Sequence, residues 1–214
     1  MALKICGLRN KSNIETIVKE IKVNYLGFIF YEKSKRYVGE DFEMPEIATN
    51  IKKVGVFVNP TIEYLESKVQ KYNLEAVQLH AEETVDFCKS IKKNNPNLLI
   101  IKAFSVDNDF DFTICEQYEN IVDIFLWDTK GKEYGGNGVV FDWNILKNYQ
   151  GNQKSFVSGG ITLATMDNLL KFINTNNDIK IVGIDINSGF EIEPALKDIN
   201  LLQKIDMKND ERKF

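Results

Sequence analysis

Lys4-Ile5-Cys6-Gly7 is a short apolar run that stops at one reactive side chain and then turns, and Leu126-Trp127-Asp128-Thr129 repeats this arrangement far downstream. A strand that ends in this way carries a reactive group to the rim of a parallel barrel. The thiol of Cys6 and the carboxyl of Asp128 can move protons in both directions, one as base and the other as acid, provided that the fold brings the two strand ends together. The two segments therefore predict a barrel with a proton-transferring pair at its mouth.

Apolar strand-like runs alternate with amphipathic segments along the whole chain, which is the pattern of repeated βα units. Eight strands are predicted, at Leu3–Cys6, Tyr25–Phe30, Val54–Val58, Ala76–His80, Leu98–Phe104, Ile124–Trp127, Phe156–Ser158 and Ile181–Asp185. Eight strands in 214 residues favour an α/β fold of the (β/α)8 TIM-barrel class over an open doubly wound sheet, which more often has about five or six strands.

The clearest helical patterns lie at Ser12–Ile21, Thr61–Tyr72, Thr84–Lys93, Leu163–Ile173 and Pro194–Lys204. Ser12 is the expected N-cap of the first helix, because Glu15 follows three residues later. The segments after the second and fifth strands show no clear helical pattern.

Length and composition predict a single domain. A chain of 214 residues with 43% hydrophobic content can bury one core, and no stretch resembles a linker. The barrel is expected over residues 1–206, and the charged tail 207–214 is expected to be frayed. The longest apolar runs are only strand-length and the N-terminus lacks the apolar region of a signal peptide, so a soluble protein of the cytoplasm is expected.

Composition also argues against several kinds of site. Cys6, Cys88 and Cys115 form no Cys-x-x-Cys pair and His80 is the only histidine, so we expect neither a disulfide framework nor a metal site. Cys88 and Cys115 are expected to be inert packing residues. The chain has 27 basic and 31 acidic residues, a net charge of −4, and its lysines are spread out, so nucleic acid is not an expected partner, nor is a membrane.

Alternate residues of a strand face opposite sides of a barrel, which predicts what points inward. Six polar side chains share the inward parity: Lys4, Cys6, Gln78, His80, Asp128 and Asp185. A purely structural barrel fills such places with Val, Ile and Leu, so polar ends on several strands favour a functional site. An inward ammonium needs a partner, and the eighth strand neighbours the first in a closed barrel. We therefore hypothesise a Lys4–Asp185 ion pair beneath Cys6 that favours the thiolate.

Two glycine-rich turns predict a phosphate site: Ser158-Gly159-Gly160 after the seventh strand and Asn187-Ser188-Gly189 after the eighth. Glycine lets backbone N–H groups approach an anion, and the N-termini of following helices add partial positive charge. Barrels of this class bind phosphate at these two positions. A Gly-Gly turn can equally be simple turn chemistry, so the argument depends on having both.

The segment Ser34-Lys35-Arg36-Tyr37 follows the second strand and would overhang the mouth of the barrel. The Arg36 guanidinium can bind a planar carboxylate through two parallel hydrogen bonds, which a lysine cannot do. The alternative is an ordinary solvated loop charge.

Taken together, the motifs resemble the phosphoribosylanthranilate isomerases of tryptophan biosynthesis, from one end of the chain to the other. The matching segments are Lys4-Ile5-Cys6-Gly7-Leu8, Gly27-Phe28-Ile29-Phe30, Ser34-x-Arg36-Tyr37, Val77-Gln78-Leu79-His80, Asp128-Thr129, Tyr134-Gly135-Gly136-Asn137-Gly138, Ser158-Gly159-Gly160-Ile161 and Gly183-Ile184-Asp185-Ile186-Asn187-Ser188-Gly189-Phe190-Glu191. The chain departs from common family residues at Trp127, Asn137 and Asn187. Trp127 is expected to face the helices.

The resemblance implies a cofactor-free, intramolecular aldose-to-ketose isomerase. Its small-molecule substrate would be N-(5′-phosphoribosyl)anthranilate, its product 1-(2-carboxyphenylamino)-1-deoxyribulose 5-phosphate, and the protein a monomer or homodimer. Asp128 would be the general acid and Cys6 the general base. An ordinary thiol has a pKa of about 8.5, so partial ionisation of Cys6 is expected.

Several roles stay open. Gln78 and His80 either line the aromatic or sugar part of the pocket or bind each other across the barrel interior, and Asp185 either orients sugar hydroxyls or balances Lys4. The glycine-rich run 131–138 is either a mobile lid or a flexible connection. Two other functions share the barrel: a different sugar-phosphate isomerase or epimerase, and a phosphate-binding barrel without catalysis.

Overall fold

The computed structural model describes residues 1–129 and 142–210, with only the backbone for 206–210. Its centre is a closed barrel of eight parallel strands in chain order, each paired with its neighbours and the eighth paired with the first. The strands are β1 (Ala2–Ile5), β2 (Tyr25–Ile29), β3 (Lys52–Phe57), β4 (Ala76–Leu79), β5 (Leu99–Val106), β6 (Ile124–Thr129), β7 (Ser155–Val157) and β8 (Ile181–Ile186). The predicted fold class is confirmed, and every predicted strand ends within two residues of the observed one.

Helices of uneven length surround the barrel. They are α1 (Lys11–Glu20), α2 (Ile62–Tyr72), α3 (Val85–Asn94), α4 (Thr113–Glu116), α5 (Leu163–Thr175) and α6 (Ile199–Asp210), with a 3₁₀ helix at Trp143–Asn148 and another at Ser188–Phe190. Thr61, Thr84 and Thr162 cap α2, α3 and α5 through their side-chain oxygens. The backbone of α6 continues to Asp210, so the tail predicted from residue 207 begins inside a helix, and residues 211–214 lie outside the described part.

The predicted N-cap of the first helix was wrong by two residues. Asn10, and not Ser12, is the N-cap of α1, and its Oδ1 accepts hydrogen bonds from the Asn13 N–H and the Ser12 hydroxyl. Asn and Ser are nearly equivalent caps, so local sequence did not separate them.

The predicted start of the last helix, at Pro194, was also wrong. Two short antiparallel strands occupy this region, β9 (Glu191–Glu193) and β10 (Leu196–Lys197), and Pro194 lies in the turn between them. The helix α6 begins at Ile199, where the Asp198 carboxylate accepts from two backbone N–H groups of the first turn. Pro at a first helical position and Pro in a tight turn look alike in sequence.

Between β2 and β3 the chain is extended and irregular, in agreement with the missing helical pattern. Val38 and Phe42 from this segment are buried in the outer core, where a helix would otherwise pack. The ring of Phe42 lies 5.6 Å from that of Tyr72 on α2. An extended segment therefore replaces the second helix of the barrel.

The barrel has an inner and an outer apolar core. The inner core consists of Val54, Ala76, Ile101, Ala103, Ile124, Leu126 and Phe156, which fill the lower part of the barrel. Ile124 and Leu126 share the predicted inward parity of Asp128 on the same strand, and their place in this core confirms it. Trp127 points the other way and packs on Phe104 and Tyr149 in the outer core, as expected. No helix among the described residues is long and apolar enough to cross a membrane.

Candidate active site

A cavity opens at the carboxyl ends of the barrel strands. All twelve residues that the sequence nominated line it: Cys6, Arg36, Gln78, His80, Asp128, Ser158, Gly159, Gly160, Asp185, Asn187, Ser188 and Gly189. These residues come from both halves of the chain and from six different strand ends. The fold therefore brings the predicted site together at the face where barrel enzymes carry their active sites.

Cys6 and Asp185 line one side of the cavity, and together with the buried Lys4 they form what we call the base wall. Cys6 directly follows β1 and is 4% exposed, and its backbone N–H donates to the Ile186 carbonyl on β8. Gly27 on β2 makes room for the thiol, because a Cβ atom there would lie 2.9 Å from Cys6 Sγ. A larger residue at Gly27 would push the thiol out of place.

The predicted Lys4–Asp185 ion pair is confirmed. The two residues are register partners on β1 and β8, and Lys4 Nζ lies 2.8 Å from Asp185 Oδ2. Lys4 is fully buried and Asp185 is 4% exposed. Burial lowers the pKa of Lys4, but Asp185 and Cys6 together outweigh burial and hold this pKa above its usual range. Asp185 is thus the anionic partner that a buried ammonium requires.

The expected ease of ionising Cys6 was wrong. Burial raises the pKa of the Cys6 thiol, and although the Lys4 ammonium lowers it, as predicted, the net pKa stays above the ordinary value. The negative charge of Asp185 also raises the pKa of Cys6, and the positive charge of Lys197 also lowers it. Sequence parity identified one cation correctly, but the cost of desolvating the thiolate depends on how completely the fold buries it.

The opposite side of the cavity, the acid wall, consists of Gln78, His80 and Asp128. His80 Nε2 lies 3.2 Å from Asp128 Oδ2, and the backbone N–H of Thr129 donates to Asp128 Oδ1 at 3.0 Å. Each oxygen of the carboxyl thus faces a nitrogen. An acid that gives up its proton here leaves a carboxylate whose hydrogen-bond partners are already in place.

Gln78 and His80 bind each other, which is one of the two alternatives left open by the sequence, and both also line the cavity. Gln78 Nε2 lies 2.7 Å from His80 Nδ1. An amide nitrogen only donates, so His80 Nδ1 accepts and its Nε2 carries the proton that faces Asp128. The contact between His80 and Asp128 was not anticipated from the sequence.

A buried clamp on the outer side of the barrel fixes the loop that carries His80. Lys102 on β5 is 3% exposed and donates to the carbonyls of Leu79 and Ala81, which flank His80. It also lies 3.2 Å from Glu83 Oε2. Nothing in the sequence connected Lys102 with the site.

The two glycine turns meet at the end of the cavity. Gly159 has φ of +81°, and a Cβ atom there would lie 2.2 Å from Thr129 Oγ1, so both conformation and space require glycine. A Cβ atom at Gly189 would lie 2.2 Å from the carbonyl oxygen of Ile161, so the second turn packs directly on the first. Both turns therefore border one space.

Arg36 lines the cavity but is not a free loop charge. Its Nε lies 3.0 Å from each carboxylate oxygen of Glu191, and its Nη2 lies 2.7 Å from Oε2. Its own chain therefore fills one edge of the guanidinium. The pairing with Glu191 was not anticipated, although Glu191 ends one of the quoted motifs.

Comparison with known proteins agrees with this geometry. Residues 3–207 match the family model for N-(5'phosphoribosyl)anthranilate (PRA) isomerase. The chain belongs to this family. A PRA isomerase of Parabacteroides distasonis is 42% identical over 208 residues, covering 95% of this chain and 90% of that protein. Membership makes the protein an isomerase of tryptophan biosynthesis.

Solved PRA isomerases have the same fold. The crystal structure from Thermotoga maritima is 31% identical and superposes with a TM-score of 0.80, covering 99% of this chain and 98% of that one. Another was solved in complex with reduced 1-(o-carboxyphenylamino)-1-deoxyribulose 5-phosphate, with 28% identity, a TM-score of 0.75 and 95% coverage of each chain.

One segment of the expected site lies outside the residues that the structure describes. The glycine-rich run 131–138, read as a lid or a connection, lies outside the described residues. Within residues 1–129 and 142–210, no three His, Cys, Asp or Glu side chains are grouped as a metal site would require.

Proposed function

We propose that this PRA isomerase converts N-(5′-phosphoribosyl)anthranilate into 1-(2-carboxyphenylamino)-1-deoxyribulose 5-phosphate without a cofactor. This Amadori-type rearrangement is an intramolecular oxidation and reduction in which an aldose becomes a ketose. The observation that carries the proposal is the common cavity of Cys6, Asp128 and the two glycine turns. The relative that binds a reduced form of this product supports the choice of substrate.

Asp128 is the proposed general acid that opens the furanose ring. It gives its proton to the ring oxygen, and the carbon–oxygen bond at C1′ breaks to leave a Schiff base with the anthranilate nitrogen. The resulting carboxylate accepts hydrogen bonds from Thr129 N–H and His80 Nε2–H, the two donors already facing it. These donors stabilise the charge that develops on Asp128.

Cys6 is the proposed general base for the second step. The Schiff base acidifies C2′, and the Cys6 thiolate removes the C2′ proton to give an enolamine, which tautomerises to the ketone. An isomerisation needs no net proton, so each residue returns to its starting state. The Lys4 and Lys197 ammonium groups oppose the burial that raises the pKa of Cys6, and thereby favour its active form.

The rest of the cavity would bind the substrate. The turns Ser158–Gly160 and Asn187–Gly189 would hold the phosphate through backbone N–H groups. Asp185 Oδ1 is buried and has no hydrogen-bond partner among the described residues, so it can accept from a sugar hydroxyl. The free edge of Arg36 would bind the anthranilate carboxylate. The expected cytoplasmic location and oligomeric state stay predictions.

The direct test is fluorescence of freshly prepared phosphoribosylanthranilate after addition of the purified protein. The proposal expects the substrate signal to disappear, with the ketose as product. Phosphate affinity without turnover would instead indicate a non-catalytic barrel, and turnover of unrelated sugar phosphates alone would indicate a different isomerase.

The first mutational prediction concerns the two proposed catalytic residues. Cys6→Ser and Asp128→Asn should each lower turnover by about 10²- to 10⁴-fold, the usual contribution of a positioned proton-transfer group, while the barrel still folds. Cys88→Ser is the matched control, because Cys88 is a buried thiol on α3 outside the cavity. Near-normal turnover of either site variant would contradict its assigned role.

A further inference from the structure

Arg36 is held by an acid that would be expected to cancel its charge. Of the five N–H donors of a guanidinium, the Arg36 Nε–H and one Nη2–H point to Glu191, which leaves the Nη1 and Nη2 edge for a ligand. The Glu191 side chain is 4% exposed and the Arg36 side chain is 14% exposed, so little water screens their attraction. An isolated Arg36–Glu191 pair would be neutral overall and a poor anion site.

A second cation changes this charge balance. Lys197 Nζ lies 2.7 Å from Glu191 Oε1, and the Lys197 side chain is fully buried. Burial raises the pKa of Glu191, but its contacts with Arg36 and Lys197 outweigh this and lower it below its usual range. Burial lowers the pKa of Lys197, and the Glu191 carboxylate opposes this effect. With Arg36 and Lys197 positive and Glu191 negative, the group carries a net charge of +1.

The fold holds Lys197 firmly in this position. Its ammonium also donates to Asn187 Oδ1 at 2.7 Å, and its backbone N–H and carbonyl are both bound by the side chain of Asn13 on α1. The hairpin of β9 and β10 places Glu191 and Lys197 opposite each other as register partners. This short sheet therefore connects Asn13 on α1 to the mouth of the barrel.

We propose that Lys197 is a positioning residue for the substrate's aromatic carboxylate: its ammonium offsets Glu191, so that Glu191 orients Arg36 without cancelling the charge of Arg36. The inference rests on the proposed substrate, because the carboxylate is the group that Arg36 would bind. Glu191 fixes the direction of the guanidinium, and Lys197 keeps the site attractive to an anion.

The test compares two ligands that differ only in the carboxylate: product analogues in which 1-amino-1-deoxyribitol 5-phosphate carries either a 2-carboxyphenyl or a phenyl group on nitrogen. Equilibrium binding is the readout, since Lys197 also affects Cys6 and would change turnover by a second route. Lys197→Met should weaken binding of the carboxyphenyl ligand by about 10-fold or more, because Glu191 then cancels the charge that strengthens the bond from Arg36 to the carboxylate. The affinity for the phenyl ligand should change by less than about 2-fold.

A double variant that restores the net charge should restore binding of the carboxyphenyl ligand. The group carries +1 in the wild type, 0 in Lys197→Met and again +1 in the double variant Glu191→Gln/Lys197→Met. The double variant should therefore bind the carboxyphenyl ligand more tightly than Lys197→Met does. A merely structural Lys197 predicts the opposite, since a second change in the same cluster would add to the damage.

The two proposals can fail separately. If the wild type binds both ligands equally, the carboxylate site itself is wrong and the inference is overturned with it. If the wild type prefers the carboxyphenyl ligand but Lys197→Met weakens both ligands alike, or the double variant shows no recovery, only the inference is overturned. Should Lys197→Met fail to fold, Lys197→Gln removes the same charge while keeping an N–H donor for Glu191, and the same outcomes apply.

Discussion

The base wall and the acid wall face each other across one cavity, but only the base wall contains a buried ion pair. Lys4 and Asp185 form a fully buried ion pair beside Cys6, whereas Asp128 faces the backbone N–H of Thr129 and the imidazole of His80. In the described part of the chain, neither a lysine nor an arginine pairs with Asp128. A nearby cation favours the ionised form of a neighbour, which suits a thiol that must act as a thiolate and does not suit an acid that must hold a proton.

The largest effect is expected when the base wall loses its cation. Lys4→Met leaves Asp185 buried without a partner, so the free energy of unfolding should fall by about 3–5 kcal/mol, measured by denaturant titration. It should also raise the pH of half-maximal Cys6 alkylation. In the wild type this pH should already exceed the ordinary thiol pKa of about 8.5, since burial raises the pKa of Cys6.

Lys102→Met is the matched control for that prediction. Lys102 is also buried and paired, with Glu83, but it lies in the outer layer of the barrel. It should lose comparable stability while the pH profile of Cys6 alkylation stays unchanged. If both variants shifted the profile equally, or neither did, the base wall would have no special electrostatic role.

On the acid wall, a smaller effect of a different kind is expected. His80→Leu removes a hydrogen-bond donor from Asp128, and a bond to a charged group is worth about 1.5–3 kcal/mol, so turnover should fall by about 10- to 100-fold. Unfolding should change much less than in Lys4→Met, since no buried charge is left without water or a partner. His80→Gln keeps an N–H donor and should retain more activity. Equal losses in the two variants would count against a donor role.

The smallest effect is expected at Gln78, which contacts His80 and not Asp128. Gln78 donates to His80 Nδ1, while its Oε1 is buried without a partner among the described residues. Gln78→Leu should therefore lower turnover by only about 2- to 10-fold, the net value of one neutral hydrogen bond. Its stability should be unchanged or higher, because an unsatisfied buried oxygen is removed. A loss of turnover as large as that of His80→Leu would place Gln78 in the acid wall's direct chemistry.

The sequence alone determined the barrel and the membership of its cavity. Eight apolar runs at regular intervals sufficed for the strands, because strand burial is a local property with a period of two. Cys6 and Asp128 were identified because each ends such a run. Parity and closure then paired Lys4 with Asp185, since neighbouring strands of a closed barrel impose register.

Only the tertiary structure decided what holds these residues and how they ionise. The Asn13–Lys197 contact joins positions 184 residues apart, and Arg36 meets Glu191 across 155 residues. All four residues lie outside the barrel strands, where the parity of the barrel gives no information. The hairpin around Pro194 and the raised pKa of Cys6 depend in the same way on packing. Local periodicity specifies which face a side chain occupies, but hydrogen-bond partners and desolvation are set by distant segments that meet only in the folded chain.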